Sequence, residues 1–340
     1  MNKHFFGKQI NSIVSRPIRS ALLGTVVAIS TLSSAHAETF RMLANLGIND
    51  SQVQASLLPF IESVTEATGG EIDIVYNGPE VVPGNEQFQP VQAGAFHFLY
   101  THPVYFNGIT SVGVSIDATA PDPEARRSSG YFNLLDDHFG TLGMKLVAIV
   151  PTGTHGYQFI LDKPLGEAPS LQGRKIRGNP TYQPVIEGFG GTVVAMPFTE
   201  VYTSLDRGVI DGASWGASGV VTQKWSEVAG YMARPTFGSS SAIILMNKDA
   251  FDSMSPELQG MLLEEGRKME LSTPPIIDAL VDTEWAQLKA EGMQDTFFPL
   301  EEQERLQAIF RSGVWATASK TNPELVQKLR DLAVAAGISD

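Results

Sequence analysis

The chain is expected to fold as an α/β protein in two lobes. Beyond an N-terminal leader about 300 residues remain, more than a single hydrophobic core ordinarily organises. Segments with helical periodicity alternate with short apolar segments in the manner of parallel sheets joined by crossover helices. Two runs of small residues, Pro151-Thr152-Gly153-Thr154 and Gly238-Ser239-Ser240-Ser241, stand where the chain could pass from one lobe to the other and back.

The first 37 residues carry Lys3, Lys8, Arg16 and Arg19 and no acidic residue, then an apolar run from Ala21 to Ala35 and the small-residue site Ala35-His36-Ala37. This is the pattern of a secretory signal peptide cleaved after Ala37. The apolar run is shorter than the roughly 20 residues a membrane-spanning helix needs, so a soluble periplasmic protein beginning at Glu38 is expected. There is no Cys, which excludes disulfides, thiolate metal sites and a lipid anchor on an N-terminal Cys. Cleavage removes four basic residues and moves the formal charge from -13 to -17. That sign argues against nucleic acid as a partner. It leaves an anionic ligand open, because exposed charges beyond about 10 Å are largely screened while an Arg inside a cleft is not.

Along the mature chain, Leu57, Phe60, Ile61 and Val64 form one face of a helix that stops at Gly69-Gly70. Strands are expected at Ile72, Ile74, Tyr76 and at Phe96, Phe98, Tyr100, then at 144–150, 157–161 and 174–177. A helix from Pro180 to Phe189 stops at Gly190-Gly191 and is followed by a strand at 192–196; another lies at 242–246. Ser255-Pro256 is a good helix start, with Ser as cap and Pro in the first turn. Pro274-Pro275 should break or kink that helix before it resumes over 276–290. Glu301 to Ala336 reads as two amphipathic helices. The division expected is 38–152 plus 241–280 for the first lobe and 153–240 plus 281–340 for the second.

Arg177 is the foremost binding candidate. It ends a strand, Arg174-Lys175-Ile176-Arg177, and the turn Gly178-Asn179-Pro180 follows at the C-terminal edge, where open α/β sheets bind ligands. A planar guanidinium meets a carboxylate with two parallel hydrogen bonds. Asn179 either contacts the ligand or serves the turn before Pro. His102 ends a first-lobe strand in Tyr100-Thr101-His102-Pro103, with Tyr105 just beyond.

The order Lys175-Ile176-Arg177, Met196-Pro197-Phe198-Thr199-Glu200-Val201-Tyr202, then Val209-Ile210-Asp211-Gly212 resembles the substrate-binding proteins of TRAP (tripartite ATP-independent periplasmic) transporters, the DctP family. The resemblance implies a type II, Venus-flytrap periplasmic binding protein with a long helix spanning both lobes. It implies that Arg177 pairs with a ligand carboxylate, and that Phe198 and Trp215 wall the cleft unless they are core residues. His155, in Gly153-Thr154-His155-Gly156, stands near the point where many members have another Arg; it is either a ligand contact or a hinge residue. Ser214 stands where keto-acid-binding members have a Glu that helps hold a cation, so no metal is expected.

The expected function is therefore capture of a small organic anion, a monocarboxylate, and its delivery to the membrane permease of an ion-gradient-driven transporter. A monomer without cofactor is expected. A binding protein of an ATP-driven importer or a sensory system is the main alternative. Gly212-Ala213-Ser214-Trp215-Gly216 matches Gly-x-Ser-x-Gly, which raises a hydrolase using Ser214. That fold needs a His after the Ser, and the last His in the chain is His155.

Overall fold

A computed structural model describes residues 38–340 of the chain. The expected leader and its cleavage site after Ala37 lie outside the described residues. Eleven strands among these residues form two mixed sheets. In chain order they are β1 (Glu38–Ala44), β2 (Ile72–Asn77), β3 (Phe98–Thr101), β4 (Met144–Pro151), β5 (Tyr157–Leu161), β6 (Lys175–Arg177), β7 (Thr192–Val194), β8 (Gly212–Gly216), β9 (Tyr231–Arg234), β10 (Ser241–Asn247) and β11 (Gln294–Phe297). The first sheet has the order β2-β1-β3-β10-β4 and the second β11-β9-β5-β8-β6-β7. In each, one strand that follows a lobe crossing runs against its neighbours: β10 is antiparallel to β3 and β4, and β5 to β8 and β9.

Sequence patterning accounts for this. β4, β5 and β10 are apolar runs buried along nearly their whole length, as strands covered on both faces must be. β2 alternates Ile72 and Ile74 inward with Asp73 and Val75 outward, because it lies at a sheet edge with one face wet. β1, β8, β9 and β11 were not anticipated from patterning. β8, read from the residues only as Gly-Ala-Ser-Trp-Gly, has few apolar side chains to betray a buried strand.

The two crossings lie side by side. Tyr157 N–H donates to Phe237 O (2.8 Å) and Phe237 N–H to Tyr157 O (2.9 Å), while Thr152 N–H donates to Ser240 O (2.9 Å). The approach is close enough that a Cβ on Gly156 would lie 2.3 Å from Gly238 O and 2.4 Å from Phe237 O, and Gly156 has φ +65°. Both the spacing and the left-handed backbone therefore demand glycine.

The helix Pro256–Ala290 continues through Pro274 and Pro275 without a break, in keeping with the long helix that the resemblance implies. Its Ser255 cap is as expected, with Ser255 Oγ accepting from Leu258 N–H at 3.2 Å. The two prolines forfeit two backbone hydrogen bonds on a partly exposed stretch. The buried stripe Leu262, Met269, Thr273, Ile277, Val281, Glu284, Leu288 nevertheless continues at helical spacing across them. Packing of that stripe offsets the lost bonds. Its first half packs on β4, where a Cβ at Gly266 would meet Val147 O at 2.8 Å. Its second half reaches the second sheet's side, where Trp285 lies under the Arg234 guanidinium at 4.1 Å.

The sequence division assigned all of 281–340 to the second lobe. The helix Pro323–Ala335 packs on the helix Tyr131–Gly140 and the turn Val112–Ala118. Its apolar face Val326, Leu329, Ala333 joins the same core as Tyr131 and Leu135. The preceding helix, Leu300–Ala318, packs on both Val112–Ala118 and the second-lobe helix Gln183–Gly188.

The crossing geometry yields a stability test. Gly156→Ala should cost about 2–4 kcal/mol, because backbone atoms cannot yield to the new methyl. Gly143→Ala, at φ +70° with nothing within 4 Å of the added Cβ, should cost only about 1 kcal/mol. Thermal denaturation of the two variants side by side checks the difference.

Candidate ligand-binding cleft

Arg177 ends β6, whose register pairs it with Val194 of β7 and Ala213 of β8. Gly178 makes the exit turn possible, since a Cβ there would lie 2.7 Å from Ile186 Cδ1. Arg177 is only 3% exposed. Its Nε–H donates to Met196 O at 3.4 Å and Nη1–H to Ser214 O at 3.2 Å. Its Cζ lies 5.4 Å from the centre of the Trp215 ring. No carboxylate among the described residues lies within 4.0 Å of it. Of the five N–H groups of a guanidinium, two are used, leaving three without a protein acceptor.

Between the sheets lies a cavity of about 70 Å³. The first lobe lines it with Asn45, Gln52, Tyr100, His102 and Tyr105. The second supplies Tyr157, Asn179, Tyr182 and Trp215, and the crossings add Thr152 and Ser240. Thus Trp215, Asn179, His102 and Tyr105 are brought together as the sequence suggested. Arg177 and Phe198 lie behind the wall, both against Trp215; the Phe198 and Trp215 ring centres are 5.6 Å apart.

His155 is not brought to the cavity. Its ring sits edgewise on Trp285 at 4.7 Å, and Nε2 lies 3.9 Å from Asp278 Oδ1 and 4.0 Å from Asp282 Oδ1. The next residue, Gly156, turns the backbone through a positive φ. His155 therefore clasps the long helix while Tyr157 faces the cleft. Sequence reasoning missed Tyr157, Gln52, Thr152 and Ser240. The available signal for Tyr157 was its place as the first aromatic after the crossing.

The polar wall is ordered by Asp117, which the turn Val112–Ala118 holds buried. His102 Nδ1 accepts from Val104 N–H at 3.2 Å, so the ring proton is on Nε2, which donates to Asp117 Oδ2 at 2.8 Å. The Tyr157 hydroxyl donates to the same Oδ2 at 2.8 Å. Burial first, and the Asp117 charge second, push the Tyr157 phenol well above its usual range, so it stays protonated. Asn179 Oδ1 accepts from Thr181 N–H at 2.9 Å. The amide oxygen serves the turn, and the same side chain lies beside the Tyr182 hydroxyl.

The model of bacterial extracellular solute-binding protein, family 7 (DctP), matches residues 44–320. The chain belongs to this family. It is 26% identical over 265 residues, 74% of its length, to the 2,3-diketo-L-gulonate-binding periplasmic protein of Escherichia coli, of which it covers 79%. Among solved structures it is similar to a TRAP solute-binding protein of Desulfovibrio salexigens with bound orotic acid. There the TM-score is 0.76 at 18% identity, with 88% of this chain and 99% of the other covered. A Bordetella pertussis extracytoplasmic solute receptor binding pyroglutamic acid also gives 0.76 at 19% identity, covering 88% and 100%. At such identities the likeness shows a shared fold, the two-lobed α/β architecture of TRAP solute-binding proteins. No helix among the described residues is long and apolar enough to cross a membrane.

In this DctP-family chain the Gly-x-Ser-x-Gly match does not make a nucleophile elbow. Ser214 lies in the middle of β8, not on a strand-to-helix turn, and its Oγ is buried without a hydrogen-bond partner. The hydrolase reading therefore fails on placement.

Three hydrogen bonds join residues on either side of the cleft. Gln52 Nε2 donates to Ser218 Oγ (2.9 Å), and Glu284 on the long helix accepts from Ser51 Oγ (3.1 Å) and from Gly219 N–H (2.7 Å). Burial raises the carboxyl of Glu284, and nearby Asp50 raises it further; burial raises Asp50 too. A carboxyl with a raised folded pKa binds more protons in the native state than in the unfolded one. The stabilisation this brings is present at acid pH and is lost as pH rises through the folded value. Glu284→Gln, an uncharged mimic, should match the parent near about pH 4 and melt about 2–4 °C higher at pH 8. Melting curves across that range check the sign.

Proposed function

We propose that this protein captures a small organic monocarboxylate in the interlobe cleft, with Arg177 as its counter-charge, and presents it to the membrane permease of an ion-gradient-driven TRAP transporter. The observation that carries this reading is the burial of a permanent cation whose only protein partners are two carbonyl oxygens. Burying a guanidinium without a counter-ion costs several kcal/mol. A carboxylate drawn into the closed cleft would supply the opposite charge where water is excluded and Coulomb attraction is strong. Trp215, against which the Arg177 guanidinium lies, gives the cavity an apolar and polarisable wall, with Phe198 supporting its ring. Asn179 offers amide donors to the same anion. Of the ligands named for similar structures, orotic and pyroglutamic acid carry one carboxyl group, malonate carries two and sn-glycerol-3-phosphate carries a phosphate.

In this reading the protein works as a periplasmic monomer released after Ala37. The first lobe comprises 38–151, 241–275 and the last helix; the second comprises 157–234 and 281–297. The paired crossings are the hinge, and Glu284 with Gln52 and Ser218 latches the closed form.

A thermal-shift screen of residues 38–340 against carboxylates, sulfonates, amino acids and sugars tests this, since a ligand that binds only the native state raises its melting temperature. A carboxylate-specific rise is expected. Arg177→Ala should weaken that ligand by at least about a hundredfold, about 3–5 kcal/mol. Arg177→Lys should weaken it as well, because an ammonium lacks the planar fork. Equal affinity in parent and both variants would rule the assignment out.

A further inference from the structure

Two buried carboxylates meet where the loop after β1 comes against the loop after β8. Asp50 is 5% exposed and Glu284 6%. Glu284, on the long helix, accepts from Ser51 Oγ–H (3.1 Å) of the first loop and from the N–H groups of Gly219 (2.7 Å) and Val220 of the second. Asp50 accepts within its own loop, from the N–H groups of Gln52 (2.9 Å) and Val53. Gly219 adjoins both acids: besides its bond to Glu284, a Cβ on it would lie 3.8 Å from Asp50 Oδ2. No ion pair within 4.0 Å reaches either carboxylate among the described residues. The first sheet faces Asp50 with the phenols of Tyr76 on β2 and Tyr100 on β3, and Glu80 stands beyond Tyr76; burial and the Asp50 charge push both phenols up, so they stay neutral. On the long helix and the second sheet, Arg234 and Lys289 are paired with Asp295, and His155 stands between Asp278 and Asp282.

We infer that the closed cleft holds a proton shared between Asp50 and Glu284, so that each ligand captured carries one proton into the protein with it. The inference rests on the closure reading above and adds a second bound species to it. When the lobes part, Ser51 leaves Gly219 and both acids return to water, where a carboxyl keeps its proton only below about pH 4. Closure takes both out of water and sets two like charges together with no counter-ion. Burial raises each carboxyl, and the Asp50 charge raises Glu284 further. One proton removes the repulsion, because a neutral carboxyl beside a charged one is tolerated where two charged ones are not. The sign follows from linkage. The closed form binds more protons than the open form, and the ligand binds the closed form, so each favours the other. Capture is therefore tightest at acid pH and weakens as pH rises through the raised value of the closed pair. One proton sets the limit at about tenfold in affinity per pH unit. The proton is given back when the cleft reopens and the ligand leaves.

The test is calorimetry of the mature protein with orotate, pyroglutamate, glucuronate and galacturonate, whose own carboxyl groups stay ionised between about pH 5 and 8. For each acid that binds, heats in two buffers of unlike ionisation enthalpy should show protons taken up, at most about one per ligand, and Kd should rise at least about threefold from about pH 5 to 8. Glu284→Gln, which keeps an acceptor oxygen for Gly219, should reduce both effects. Glu284→Gln combined with Asp50→Asn should abolish them while binding persists. Uptake that is absent in the parent, that is undiminished in Glu284→Gln, or that disappears instead in His102→Gln or His155→Gln overturns the inference and leaves anion capture standing. Binding that survives Arg177→Ala unweakened, or no binding of any of the four acids, overturns the anion-capture reading and the inference with it.

Discussion

A guanidinium buried among carbonyl groups is the constraint around which the rest of the cleft is arranged. Arg177 is placed by a three-residue strand between β7 and β8 and held by Met196 O and Ser214 O. Carbonyl dipoles solvate a cation only in part, so the charge stays unneutralised in a poorly polarisable setting. That condition is unfavourable for stability and favourable for binding. An anion entering gains more from such a cation than from one paired in advance with a side chain. The Trp215 face, itself attractive to a cation, keeps Arg177 from water without cancelling its charge.

In the proposed reading, the rest of the fold controls access to that charge. The two sheets are joined by crossings that hydrogen-bond to each other across Tyr157 and Phe237, so the connection is a narrow two-stranded strap. The long helix bridges both sides, and the burial of its inner stripe outweighs the two backbone bonds surrendered at Pro274 and Pro275. Glu284, on that helix, takes one hydrogen bond from Ser51 and one from Gly219, so a single carboxylate registers the approach of the two lobes. Its raised pKa, and that of Asp50, record the cost of burying two acids to make this latch. Asp117 plays a comparable part inside the cleft, where it fixes the tautomer of His102 and the hydroxyl direction of Tyr157.

Much of this was legible in the sequence because it depends on local chemistry. The strands 144–150, 157–161 and 242–246 are apolar runs bounded by turn residues, and the Ser255 cap and the two C-terminal helices follow from short-range rules. Arg177 stood out because a charged residue between Ile176 and Gly178-Asn179-Pro180 has no ordinary reason to end a buried strand. What was not legible depends on tertiary placement. Continuity of the long helix through two prolines is decided by a buried stripe whose partners are distant in sequence. His155 turned away from the cavity, and Tyr157 toward it, because of one left-handed glycine pressed against the other crossing. The apolar face of the last helix joins the core of Tyr131 and Leu135, a match no periodicity reveals. Ser214 sat in a pattern that suits a nucleophile, yet its strand buries it.

The most direct measurement is a crystal structure of the mature protein with the tightest-binding carboxylate from the thermal-shift screen. The account predicts closed lobes with a ligand carboxylate oxygen within hydrogen-bond distance of the Arg177 guanidinium. A ligand whose charged group lies elsewhere, with Arg177 still bound only to Met196 O and Ser214 O, would contradict it and make Arg177 a purely structural residue.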